Sequence, residues 1–140
     1  MSDRAFVDTN VLVYAHDRSA GVKHEKARAL VEALWRDRAG VVSTQVLQEL
    51  CVAMRKMSAG PPSPPDLARL VADYLRWDVV VNTGESIVEA LEIEERFGLS
   101  FWDALIVQAA AASGAATLYS EDLSDGQSYG TVRVVNPLAG

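Results

Sequence analysis

An α/β fold, with an open and mainly parallel sheet covered by helices on both faces, is predicted by three features of the chain. Short wholly apolar segments alternate with amphipathic segments of helical period, and turn-forming residues stand where one gives way to the other. Continuous apolar segments such as Val79-Val80-Val81 suit strands buried on both faces, because a strand with one wet face would alternate. The 140 residues suit a single domain over 1–140 with one core.

Each element follows from its local pattern. Ala5 to Val7 reads as the first strand, and Val11 to Ala15 either continues it or turns into a short helix, a choice that period leaves open. Between His24 and Arg38, Ala27, Leu30, Val31, Leu34 and Trp35 share one helical face, with Gly40 just past the charged end. Val41-Val42 is a short buried strand. Ser43 or Thr44 then caps a helix whose apolar face carries Val46, Leu47, Leu50, Cys51 and Met54, with Glu49 beside it. Residues 60–65 form a proline-rich loop in which Ser63 is an N-cap, prolines occupy the first turn and Asp66 stands three residues on. Leu67 to Trp77 is helical, Val79 to Val81 a strand, and Thr83 opens a helix that Gly98 ends. Ser100 to Asp103 matches a capping box at the head of an Ala-rich helix closed by Gly114. Ala116 to Tyr119 and Thr131 to Val135 supply the remaining strands.

Composition narrows the function. No apolar stretch approaches the ~20 residues of a membrane span, and Met1-Ser2-Asp3-Arg4 lacks the basic flank and long apolar segment of a secretory signal. A cytoplasmic protein with no membrane partner is expected. With Cys51 as the single cysteine, neither an internal disulfide nor a cysteine zinc cluster can form. His16 and His24, in polar stretches, read as surface residues rather than a general acid–base pair.

Four acids carry the chemistry: Asp8, Glu49, Asp103 and Asp122 each stand at the edge of an apolar segment. Asp8 and Asp122 follow strands and Asp103 opens a helix, so an α/β sheet gathers them beyond the carboxyl ends of its strands, where such folds bind ligands. Oxygen ligands of this kind suit a hard divalent cation, and two cations ~3.5 to 4 Å apart can activate a water and stabilise a leaving oxygen in phosphodiester hydrolysis. Three of the acids also have a structural explanation: Asp103 at a helix N-terminus, Glu49 on a solvated helix, Asp122 in a turn. Asp8, flanked by Phe6-Val7 and Val11-Leu12-Val13, requires a partner or a metal. Two bound divalent cations would bring the formal net charge from −6 to −2, so the acidity is compatible with a polyanionic substrate as well as with a basic protein partner. Arg18, Lys23, Lys26 and Arg28 near the first long helix, with Arg55 and Lys56 ending the second, are candidate phosphate contacts or ordinary solvated residues.

At these residues the chain resembles PIN-domain ribonucleases, more narrowly the VapC-type toxins of bacterial toxin–antitoxin pairs. Phe6-Val7-Asp8-Thr9-Asn10-Val11-Leu12-Val13-Tyr14 is similar to the family's opening motif, Val46-Leu47-Gln48-Glu49-Leu50 to the second, Ser100-Phe101-Trp102-Asp103-Ala104-Leu105-Ile106 to the third, and Leu118-Tyr119-Ser120-Glu121-Asp122-Leu123 to the fourth. Four motifs in order, ending in Val134-Val135-Asn136-Pro137, span nearly the whole chain. The resemblance implies a three-layer α/β/α sandwich and an endoribonuclease using one or two Mg²⁺ or Mn²⁺ ions. It implies Asp8, Glu49, Asp103 and Asp122 as ligands, with Thr9, Asn10 and Ser120 in support. It further implies an RNA substrate, a homodimer and a cognate antitoxin. Glu121 and Asp125 share the last turn and are alternatives to Asp122, which the family motif favours.

Two other functions fit part of the pattern. A phosphatase of the haloacid dehalogenase type would use Asp8 as a nucleophile, but its usual second Asp is Asn10 here, and Lys23, Lys26 and Lys56 are the only lysines. A catalytically silent interaction module would use the acidic edge only to receive a basic partner.

Overall fold

A computed structural model describes residues 3–57 and 60–139; Met1 and Ser2 of the N-terminal reading lie outside it. The strands are β1 (Ala5–Val7), β2 (Gly40–Ser43), β3 (Asp78–Val80), β4 (Thr117–Tyr119), β5 (Ser128–Tyr129) and β6 (Val132–Val135). The helices are α1 (Thr9–His16), α2 (Val22–Asp37), α3 (Thr44–Met54), α4 (Pro64–Tyr74), α5 (Gly84–Phe97) and α6 (Phe101–Ala112), with a 3-10 turn at Arg18–Ala20.

The sheet has the order β3-β2-β1-β4-β6-β5, parallel except for β5 against β6. From β1 the chain steps outward through β2 and β3, then returns to lay β4 on the other side of β1. Right-handed crossovers in these opposite directions put α1 to α4 on one face and α5 and α6 on the other, giving the α/β/α sandwich. The reversal between β1 and β4 is a topological switch point, the place where an open α/β sheet leaves a crevice. Asp8 follows β1 immediately and Asp122 follows β4 by three residues.

Caps start several elements where the sequence indicates. Ser43 accepts from the Val46 N–H, Ser63 and Asp66 complete a reciprocal capping box under Pro64 and Pro65, and Thr83 and Gly98, the latter left-handed with φ 68°, bound α5. The open choice at Val11 to Ala15 resolves as helix, because Asp8 caps it and Val11, Leu12 and Ala15 turn inward together. β3 departs from expectation: it is an edge strand with no fully buried residue, and Val81 lies outside it, 62% exposed. β5 forms a short hairpin with β6 that the polar sequence around Gly126 and Gly130 conceals.

The core centres on Phe6, Val7, Leu12, Val41, Val42, Leu50 and Leu118, all essentially inaccessible apart from small contacts. Its far end holds an aromatic group in which Trp77 packs against Trp35 and Tyr74 at centroid distances of 5.4 and 5.0 Å. Both histidines depart from the surface reading. His16 is half-buried with Nε2 2.7 Å from the Tyr74 hydroxyl, and His24 Nδ1 lies 2.9 Å from the Tyr14 carbonyl. No helix among the described residues is long and apolar enough to cross a membrane.

Candidate metal centre

Asp8 ends β1 and begins α1, and both roles fix its carboxylate. The residue stays extended (φ −73°, ψ 159°). Its N–H continues the sheet by donating to the Tyr119 carbonyl at 2.9 Å. Oδ1 accepts from the Thr9 N–H at 2.7 Å, and Oδ2 accepts from the Ser120 hydroxyl at 2.8 Å. Only 6% of Asp8 is exposed. Burial pushes its carboxyl up to about 6; the bonds from Ser120 and Thr9 oppose this, and the charges of Asp122 and Glu49 add to it.

Thr9 and Ser120 link this acid to the others. The Thr9 hydroxyl donates to Glu49 Oε1 at 2.8 Å, so one residue holds Asp8 through its backbone and Glu49 through its side chain. Ser120, fully buried, donates to Asp8 and accepts from the N–H groups of Asp122 and Leu123 at 3.2 and 3.4 Å. That turn sets Asp122 beside the crevice and separates it from its neighbours. Glu121 instead accepts from Tyr14 at 3.1 Å and Lys23 at 2.5 Å, while Asp125 accepts from the Asn136 N–H at 2.9 Å.

Asp103 is the third residue of α6. Its N–H donates to Ser100 Oγ at 3.2 Å, but the reciprocal bond of the expected capping box is absent among the described hydrogen bonds. The Asp103 carboxylate is therefore left to the crevice. Asp8, Glu49, Asp103 and Asp122 line one cleft of about 440 Å³. Asn10 lines it too, and its Oδ1 is buried without a hydrogen-bond partner.

This donor set fits a hard divalent cation: carboxylate oxygens from four regions of the chain, with an unsatisfied amide oxygen. Among the described residues, no three acids converge on one point at ligating distance. They line the same cleft, close enough that the charges of Asp122 and Glu49 are felt at Asp8.

Residues 5–124 match the family model of the PIN domain. The chain belongs to the PIN-domain family. Solved structures share the fold. A toxin–antitoxin complex from Klebsiella pneumoniae is 18% identical with TM-score 0.67, covering 95% of this chain and 97% of that one. VapC20 of Mycobacterium tuberculosis, described as a Sarcin-Ricin loop cleaving toxin, is 21% identical with TM-score 0.64, covering 84% and 89%. VapBC from Salmonella typhimurium bound to DNA is 18% identical with TM-score 0.65, covering 96% and 97%. No curated protein sequence matches the chain.

The cleft of this PIN domain also contains residues the sequence pattern left unassigned. Trp102, 61% exposed, and Gln45, buried, both line it. Lys56 lies on its wall, whereas three other candidate phosphate contacts are engaged elsewhere, Lys23 with Glu121, Arg28 with Glu32, and Lys26 toward the Leu138 and Ala139 carbonyls, and Arg18 and Arg55 do not line the cleft. Trp102 was visible only as the residue before an acid. An exposed indole at that place is what distinguishes it from core aromatics, and exposure is not written in the sequence.

Proposed function

We propose that this PIN domain is a divalent-metal-dependent endoribonuclease acting as the VapC-type toxin of a toxin–antitoxin pair. The observation that carries this reading is the shared cleft of Asp8, Glu49, Asp103 and Asp122 with the unsatisfied Asn10 oxygen. Those residues are the proposed ligands of one or two Mg²⁺ or Mn²⁺ ions, which when bound supply an activated water and charge neutralisation at the scissile phosphate. Thr9 holds Glu49 and Ser120 holds Asp8 by the hydrogen bonds described above, so both acids present fixed oxygens. Ser120 orients Asp122 through its backbone N–H. Lys56 supplies positive charge at the cleft wall for the RNA backbone.

The toxin–antitoxin complexes among the structural neighbours support an antitoxin as partner, and a homodimer is part of the same proposal. Family membership leaves no support for the phosphatase reading. The silent-module reading is tested together with the nuclease. Purified protein incubated with total RNA in Mg²⁺ or Mn²⁺ is expected to release defined fragments, and EDTA or Asp8→Asn is expected to abolish them. Cleavage that persists in excess EDTA, or unchanged in Asp8→Asn, overturns the metal-nuclease reading; no cleavage under any divalent cation favours the silent module.

A further inference from the structure

The geometry points to Trp102 as a stacking platform for one unpaired base of the RNA, next to the phosphate held at the acid cluster; this inference rests on the nuclease reading above and specifies its substrate as single-stranded. Trp102 is the second residue of α6 and immediately precedes Asp103, so the indole and the carboxylate belong to one rigid helical turn. Both line the same cleft. A large aromatic that is 61% exposed has forgone most of its hydrophobic gain, and here it lines a cleft beside four carboxylates. The ring packs against Phe101 at a centroid distance of 5.2 Å with the two planes 73° apart. Its backbone is tied across the cleft, where Gln45 Nε2 donates to the Trp102 carbonyl at 3.4 Å.

Gln45 supplies an independent observation. It is 95% buried by its 5% exposure, it lines the cleft, and its Oε1 has no hydrogen-bond partner. Buried in the free protein, that acceptor meets the exocyclic N–H or ring N–H of a base when the Gln45 side chain turns toward the cleft, and the base edge is free only when the base is unpaired. Lys56 then meets the sugar-phosphate chain on the same wall. Stacking, a base-edge acceptor and a single cation make up a nucleotide subsite in which base stacking contributes a large part of the affinity.

The test uses the full chain in Mg²⁺ and an eight-nucleotide mixed-sequence RNA with phosphorothioate linkages, read by fluorescence anisotropy and tryptophan emission. Trp102→Ala is expected to weaken binding about 10- to 100-fold and to abolish the quenching seen on titration, while Trp102→Phe keeps Kd within about 3-fold. The same RNA annealed to its complement is expected to bind at least about 10-fold more weakly. On a cleavable RNA the Trp102→Ala loss is expected in KM rather than kcat. The inference is overturned if Trp102→Ala binds within about 2-fold of the parent, if duplex binds as well as single strand, or if Trp102→Ala instead converts a dimer to a monomer with RNA affinity intact. Trp102-dependent binding without any cleavage would refute the nuclease reading alone; cleavage indifferent to Trp102 would refute this inference alone.

Discussion

Asp8→Asn is expected to make the metal-free protein more stable at alkaline pH, although it removes the acid at the centre of the site. The carboxyl of Asp8 is raised from 3.8 to about 6, chiefly by burial. A group whose folded-state value is raised contributes stability that is fully present below the unfolded value and is lost as pH rises through the folded one. The interval between 3.8 and about 6 corresponds to about 3 kcal/mol lost by pH 8, and to about half of that by pH 5. An amide removes this charge. It keeps one oxygen for the Thr9 N–H but turns an NH₂ toward the Ser120 hydroxyl, which must rotate to accept. That rearrangement costs about 1 kcal/mol. The net gain at pH 8 is therefore about 2 kcal/mol, or about 7 °C in Tm for a chain of this length, and it shrinks to little or nothing near pH 5. Thermal melts of both proteins in EDTA at pH 5 and pH 8 measure it. A variant that melts below the parent at pH 8 refutes the argument that Asp8 is held charged at a cost.

Three further outcomes are expected. Mg²⁺ or Mn²⁺ at about 100 times Kd is expected to stabilise the parent by about 2.7 kcal/mol, with a smaller shift at pH 5, where protons compete for Asp8, and little shift in Asp8→Asn; equal shifts in both proteins by calorimetry would count against the ligand assignment. Gly40→Ala would set a Cβ 2.5 Å from the Trp77 ring, and because Trp35 and Tyr74 fix that ring the overpacking is expected to cost about 1–3 kcal/mol in urea unfolding. Tyr74→Phe removes the hydroxyl beside His16 Nε2, 2.7 Å away, and is expected to cost about 1–2 kcal/mol at pH 8; burial lowers the His16 value, so its neutral form is the native one and an intact melting curve in Tyr74→Phe would deny that bond a structural role.

What could be read from the sequence was whatever adjoining residues decide. Ser63 with Asp66, Thr83 with Gly98, and Asp8 at the end of an apolar triplet all act within a few positions of themselves, and each element begins or ends where they indicate. The capping box at Ser100 formed only by half, because Asp103 faces a cleft whose other walls come from α1 and α3. β3 carries the apolar signature of a central strand but lies at the sheet edge, a position set by topology rather than by composition. His16 departs from a surface position for the same reason: the Tyr74 that meets it is 58 residues away. Distance along the chain likewise hid the difference between Asp122 and Glu121, which depends on Tyr14 and Lys23.

The distribution of cations completes the electrostatic account. Arg4 pairs with Asp78, Lys23 with Glu121, Arg28 with Glu32, Arg36 with Asp37 and Arg69 with Asp66, so five of the thirteen cationic side chains are neutralised locally. Lys56 is the cationic side chain that lines the acid cleft. A chain of net charge −6 built this way has little long-range pull on a polyanion. On the proposed nuclease reading, attraction arises inside the cleft, where divalent charge among the four acids would reverse the local sign and Trp102 would hold a base by contact. Because few phosphates would be neutralised by protein cations, RNA affinity should fall only shallowly with monovalent salt compared with a basic nuclease. Binding that collapsed with a steep salt slope would place the RNA on other cations of the surface, and so away from the cleft.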